Sequence, residues 1–196
     1  MGADLFVQWS KRENWMGKIE CKLSIYQEKL NQKYCDVNIV FNQRDAQLYQ
    51  KYYGEMPDAI IPISTPTPEI DWEKAAWSNE KSDIMQVLFV GSKYYPNIVG
   101  IKWFYKNVLP KLNNNIIINI VGRGTEILKK ELTDCRIRIY GSVDSLAPYY
   151  MGADVIIAPL FDGGGMKTKT VEALSYGKSI VATDEGLEGF LSLIHI

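Results

Sequence analysis

The chain has 196 residues, 46% of them hydrophobic and 23% charged, which is the composition of an ordinary soluble globular protein with room for a normal core. A formal net charge of -1 gives no whole-protein attraction to nucleic acid or to an anionic membrane. No apolar run reaches the roughly 18 residues of a membrane span, and the opening stretch around Trp9 to Glu13 does not read as a signal peptide.

In chain order, Ile19, Leu23, Tyr26 and Leu30 recur at helical spacing and predict an amphipathic helix over residues 14–34. Residues 36–41 read as a strand. Asn42 is a good N-cap, with Asp45 three residues on, for a helix running to Tyr53 and stopped at Gly54. Residues 59–63 are extended, since a residue before proline avoids the α region. Residues 1–64 therefore predict an α/β remnant of one domain. Residues 65–84 are proline-rich and charged, the signature of a linker.

A second α/β register follows from residue 85 to residue 190. Strands are predicted at 87–90, 116–121, 137–140, 155–159 and 179–182. Helices are predicted through Ile101, Phe104, Tyr105, Val108 and Leu112, over 126–132, over 146–151, and through Glu172. Strands alternating with helices imply a parallel sheet with right-handed crossovers, whose ligands bind beyond the carboxyl ends of the strands. The turns at Gly91 and Ser92, at Gly122, Arg123 and Gly124, at Gly141 and Ser142, and at Gly163, Gly164 and Gly165 all fall on that edge. The aromatics at 103–105, Tyr149 and Tyr150 read as packing residues. Cys21, Cys35 and Cys135 are odd in number and widely spaced, so they fit packing roles in a reducing compartment better than a disulfide framework or a zinc site.

The stretch from Phe161 to Gly186 carries the most information. Three consecutive glycines let main-chain N–H groups approach a ligand with no Cβ in the way. A helix start directly after them offers unpaired donors and a positive dipole end suited to phosphate. Lys167 and Lys169 add charge there, and Glu172 can accept hydrogen bonds from a sugar diol. Together these features read as a nucleotide site. Two other nucleotide motifs fail on spacing. Gly122 and Gly124 lack the third glycine of a dinucleotide fingerprint, because Ile127 stands in its place, and Gly177, Lys178 and Ser179 have Glu172 where a P-loop needs its first glycine.

This stretch resembles the donor-binding signature of retaining nucleotide-sugar glycosyltransferases of the GT-B fold, the family 4 or group 1 type. The likeness continues upstream through residues 87–92, Pro96 and Asn97, Trp103 and Phe104, residues 121–124 and residues 140–142. It implies an α/β protein of GT-B type: a Rossmann-like donor domain over 85–190, and the remnant of a second Rossmann-like, acceptor-side domain over 1–64. It also implies transfer of a sugar from a nucleotide diphosphate donor to a glycan or lipid-linked acceptor, with retention, in surface polysaccharide assembly. No cofactor is needed, because the nucleotide sugar is a substrate and the departing diphosphate can take the acceptor proton. Nucleic acid is not a partner. The cytoplasm is the expected location, at the inner face of the membrane if the absent half makes peripheral contact. A GT-B epimerase and a nucleotide-binding fragment without turnover are the alternative readings.

Residue by residue, the resemblance puts Glu172 on the ribose hydroxyls, against a surface carboxylate paired with Lys169. Asp162 stands ten positions before Glu172, where the family's first acid stands eight before. It is a candidate catalytic group on the donor sugar, against a plain turn aspartate. Lys167 is the candidate diphosphate ligand and catalytic cation, with Thr168 beside it and Arg123 as an alternative phosphate partner. Gly91 and Ser92 correspond to the family's first diphosphate turn, and Gly141, Ser142 and Val143 to the segment that holds the base. Residues 191–196 match the translation of a sequencing-library adapter (CTG TCT CTT ATA CAC ATC). They are expected to be foreign, which would make the chain truncated and His195, its one histidine, uninformative.

Overall fold

A computed structural model describes residues 15–78, 83–163 and 167–190. The chain divides into two units. One comprises Met1–Ser64, Asp162–Lys167 and Glu188–Ile196, the other Thr65–Phe161 and Thr168–Leu187. The expected foreign tail, and Gly164 and Gly165, lie outside the described residues.

In the first unit, helix α1 (Trp15–Tyr34) forms where the spacing predicts it, but its apolar stripe faces outward, with Leu23 62% and Tyr26 63% exposed. Strands β1 (Ile39–Val40) and β2 (Ala59–Ile60) pair in parallel over two residues each, far less than the extended stretches predicted. The ladder ends with Ile61 donating to the Val40 carbonyl at 2.8 Å, because Pro62 has no N–H to continue it. Helix α2 (Gln43–Tyr53) is capped at both ends as expected. Asn42 Oδ1 accepts from the Asp45 N–H at 2.8 Å, Asn42 Nδ2 donates back to Asp45 Oδ2 at 3.0 Å, and Gly54 closes the helix at φ 89°.

The second unit is a five-stranded all-parallel sheet in the order β5-β4-β3-β6-β7. Its strands are β3 (Met85–Val90), β4 (Ile116–Val121), β5 (Ile137–Gly141), β6 (Val155–Ala158) and β7 (Ser179–Ala182). Side chains alternate across it. Val87, Phe89, Ile118, Ile120 and Ile157 pack on one face with Ile101 and Phe104 of α3 (Tyr95–Asn107). Leu88, Val90, Val121 and Ile156 pack on the other with Tyr150 of α4 (Ala147–Gly152) and Ala173 of α5 (Thr168–Ser175). The predicted helix over 126–132 is a 3-10 turn, Thr125–Lys130, anchored by the fully buried Leu128.

Two expectations are corrected. Trp103 is 41% exposed, turned off the core onto the ring of Phe161 at 4.7 Å, while Phe104 takes the core position. Cys35 and Cys135 are exposed thiols, not packing residues; the side chain of Cys21 lies outside the described part.

The proline-rich stretch after Ser64 is docked on the sheet unit. A 3-10 turn, Trp72–Lys74, is capped by Asp71, and the Asp71 N–H donates to Met151 Sδ at 3.3 Å. The Ala76 N–H donates to the Pro148 carbonyl at 2.9 Å. Gly152 sits so close to the Ala76 carbonyl that a Cβ there would lie 2.0 Å from its oxygen. Trp77 Nε1 donates to Tyr140 Oη at 2.8 Å. Tyr140 donates to Asn119 Oδ1 at 3.2 Å, and Asn119 Nδ2 donates to Gln86 Oε1 at 2.9 Å. Asn119 is fully buried. Its polarity is tolerated because each end of its amide is bonded.

Candidate functional site

The site is built on the rim where the parallel strands end. The turns after β3, β4 and β5 bond to one another. The Gly91 N–H donates to the Val121 carbonyl at 2.9 Å, Lys93 N–H to the Arg123 carbonyl at 2.8 Å, and Gly122 N–H to the Gly141 carbonyl at 2.7 Å. Glycine is required where these turns meet: Gly122 has φ +147° and a Cβ on it would lie 2.2 Å from the Gly91 carbonyl oxygen. The structure thus brings Gly91, Ser92, Arg123, Gly141 and Ser142 to one edge, with the Ser92 and Arg123 side chains exposed. The Gly91 N–H is already bonded within the protein, so Gly91 provides close approach there and not a donor. Ser142 N–H donates to Glu126 Oε1 at 3.3 Å. Main-chain hydrogen bonds, first that of Glu126 itself and then that of Ser142, hold the Glu126 carboxyl below the ordinary carboxylate range. Val143 is half-buried against the α4 and α5 side of the sheet.

Helix α5 brings two functional candidates to this unit. Lys169 donates to Asn97 Oδ1 at 2.6 Å and lies 5.1 Å from the centre of the Phe89 ring. Asn97, buried in the first turn of α3, donates in turn to the Ser92 carbonyl at 3.1 Å. Lys169 is therefore tied to the turn after β3, and the surface pairing with Glu172 that the spacing allowed is not the arrangement found. Glu172 instead accepts from the hydroxyl of Tyr150 at 2.9 Å. It lines a cavity of about 340 Å³ with Ser175 and Tyr176 of and beyond α5, Ser145, Leu146, Ala147 and Tyr150 of the α4 region, and the segment from Thr65 to Pro68. Thr168, the first residue of α5, is exposed.

In the other unit, Asp162 Oδ1 accepts from the N–H of Gly163 at 3.0 Å, an ordinary turn contact. The Lys167 ammonium donates to the Gly163 carbonyl at 2.8 Å and lies 3.9 Å from Glu188 Oε2, with the side chain 7% exposed. Glu188 also pairs with Arg44. Lys167 thus reaches back to the main chain at Gly163. Among the described residues no group of three or more His, Cys, Asp or Glu side chains is gathered as a metal site would need.

Sequence reasoning passed over Glu126, the Thr65 to Pro68 wall and the role of Tyr150. Asn97 was legible only as part of the family resemblance, through Pro96 and Asn97. The tyrosine hydroxyl carried no sequence signal, because Tyr150 sits at a core position and only coordinates reveal which atom its hydroxyl meets.

Residues 85–194, more than half of the chain, match the family described as glycosyl transferases group 1. The chain belongs to that family. The chain is 32% identical over 117 residues to an uncharacterized 44.6 kDa protein in the cps region of Klebsiella pneumoniae, an alignment covering 53% of this chain and 30% of that protein. Its fold is that of GT-B enzymes. The Anabaena protein HepE in complex with UDP and glucose superposes with TM-score 0.66 at 13% identity, covering 82% of this chain and 48% of that one. WaaG, a glycosyltransferase involved in lipopolysaccharide biosynthesis, gives 0.63 at 14% identity, covering 80% and 46%. TarM gives 0.62 at 10% identity, covering 81% and 32%. The chain thus spans less than half the length of these relatives. Among the described residues no helix is long and apolar enough to cross a membrane.

Proposed function

We propose that this glycosyl transferase acts in surface polysaccharide assembly, moving a sugar from a nucleotide diphosphate donor to a glycan or lipid-linked acceptor with retention at the anomeric carbon. The observation that carries the reading is Glu172, a carboxylate lining a cavity of about 340 Å³ one helical turn beyond a lysine tied to the β3 turn. That spacing suits a nucleoside diphosphate. The ribose hydroxyls donate to Glu172, the diphosphate meets Lys169 and the turn at Ser92, and Arg123 reinforces the charge. The base lies toward Gly141, Ser142 and Val143. Asp162, the glycines at 163–165, Lys167 and Thr168 are assigned to the donor sugar and its diphosphate from their place in the sequence motif. The HepE neighbour described with UDP and glucose, and the relative from a cps region, support a sugar nucleotide and a polysaccharide setting.

In the reaction the bond between the anomeric carbon and the β-phosphate oxygen breaks and one to the acceptor oxygen forms. The acceptor proton passes to the departing diphosphate, so no separate protein base is required. Positive groups fixed beside that leaving group lower the barrier by stabilising the charge that develops on it. Residues 1–196 by themselves are expected to bind donor nucleotide without turnover, since the relatives carry as much chain again.

Calorimetric titration of the chain with UDP and with GDP tests the site. Glu172→Ala is expected to weaken the better-bound nucleotide at least tenfold, about 1.4 kcal/mol, within the range for hydrogen bonds to a charged group. Equal affinity in both proteins removes Glu172 from the site.

A further inference from the structure

Recognition of a diol by one carboxylate needs that carboxylate held still. A glutamate on a helix surface samples many rotamers, and fixing it on binding costs free energy. Glu172 does not have that freedom. Tyr150 donates to its Oε2 at 2.9 Å, and Tyr150 is itself among the largest fully buried side chains. It is 1% exposed, packed in the core beside Leu88, Val90 and Ile156, and its ring is stacked on Tyr176 at 5.1 Å and 11°. Burial, reinforced by the neighbouring Glu172 charge, pushes the Tyr150 hydroxyl well above its ordinary range, so it remains a donor at every working pH. One carboxylate oxygen is committed to the protein, which leaves Oε1 as the acceptor for a ligand.

We infer that Tyr150 is a positioning residue: through its hydrogen bond to Glu172 it presents one carboxylate oxygen to the ribose hydroxyls and sets the preference for ribonucleotides over their 2′-deoxy counterparts. The inference rests on the proposed role of Glu172 as the ribose acceptor. It adds a part for a residue that acts through Glu172. Without the phenol hydroxyl, Glu172 would still carry its charge but would have to be ordered by the ligand itself, and the loss would fall on the hydroxyl-dependent part of the affinity.

The experiment is calorimetric titration of the full chain with UDP, GDP and their 2′-deoxy forms. The wild type is expected to prefer the better-bound ribonucleotide over its 2′-deoxy form at least tenfold. In Tyr150→Phe that ratio is expected to fall below threefold, with affinity for the 2′-deoxy form unchanged within twofold. A Tyr150→Phe protein that keeps the wild-type ratio overturns the inference, and so does one in which both forms weaken equally, the signature of a general packing defect. If Tyr150→Phe shows no cooperative melting, Tyr176→Leu takes its place, removing the ring that backs Tyr150 while leaving the hydroxyl and Glu172 intact. It is expected to at least halve the ratio, and an unchanged ratio overturns the inference. A wild type that does not discriminate, or binds neither nucleotide, overturns the reading of Glu172 instead.

Discussion

The ammonium of Lys169 lies 2.6 Å from Asn97 Oδ1, joining the second residue of α5 to the first turn of α3. Because Asn97 also holds the Ser92 carbonyl, the cation and the turn after β3 are set by one side chain. Lys169→Met is expected to weaken nucleoside diphosphate binding by about 10- to 100-fold and to flatten its dependence on salt, as removal of one charge from an anion site does. Asn97→Ala, which leaves the charge but frees it, is expected to cost less and to retain the salt dependence. Titrations at two ionic strengths separate the two.

Lys167 is predicted to behave differently. Its ammonium is spent on the Gly163 carbonyl and lies 3.9 Å from the Glu188 carboxylate. Lys167→Met is expected to lower stability by about 1–3 kcal/mol, the cost of leaving buried partners unsatisfied, whatever it does to nucleotide affinity. Urea denaturation without ligand reads the first effect, and titration reads the second.

The chain of hydrogen bonds from Trp77 through Tyr140 and Asn119 to Gln86 gives a test of the docked segment. Asn119→Ala removes the acceptor of the Tyr140 hydroxyl and the amide donor to Gln86 Oε1. The expected loss is about 1–3 kcal/mol, a fall in melting temperature of about 2–4 °C for each kcal/mol. Trp77→Phe removes only the outermost donor and is expected to cost less.

The sheet was legible in the sequence because a parallel strand buried on both faces is almost wholly apolar. Runs such as Val87 to Val90, and Ile116 to Val121 with Asn119 as its one polar residue, leave little else open. The caps of α2 were legible because Asn42, Asp45 and Gly54 act through their own local backbone. What escaped was set by partners distant in sequence. The stretch from Thr65 to Trp77 has linker composition, yet its main chain docks through Met151, Pro148 and Gly152. Trp103 lies in a helix whose pattern suits a core, but Ile101 and Phe104 define the buried side and leave it facing outward. At the candidate site, glycines and charges could be named from spacing. Which carboxylate met which hydroxyl could not, because Tyr150 and Glu172 are 22 residues apart on different helices.

Gly100 lets α3 lie close against the residue that follows β6. A Cβ there would lie 1.9 Å from the Pro159 carbonyl oxygen. Gly100→Ala would gain helix propensity of roughly 1 kcal/mol but must push the helix off the strand, at about 1–3 kcal/mol or more. Net destabilisation is expected. Gly177→Ala, at φ +66° with open space around it, is the comparison, and its cost is conformational strain alone.

Asp134 supplies a pH test. The Arg136 guanidinium, 2.9 Å away, and the Arg136 N–H hold its carboxyl down at about 2. Its folded-state pKa is below the unfolded value, so the stabilisation is present above the unfolded pKa near 4 and is lost as pH falls toward 2. The pair is partly exposed, so the gain is less than about 1 kcal/mol after solvent screening. Wild type and Asp134→Asn are expected to differ by a constant amount from pH 5 to pH 7, with the gap closing between pH 4 and pH 2 in urea denaturation.

The hydrogen bonds that run from Gly91 to Val121, from Lys93 to Arg123 and from Gly122 to Gly141 have an evolutionary corollary. No one of these three loops can drift without dragging the other two, so their main-chain path is inherited as a block. If these turns hold the donor as proposed, a shift in donor preference among descendants of this protein would have to be written in the side chains that project from that fixed frame, at positions such as Ser92, Arg123 and Val143.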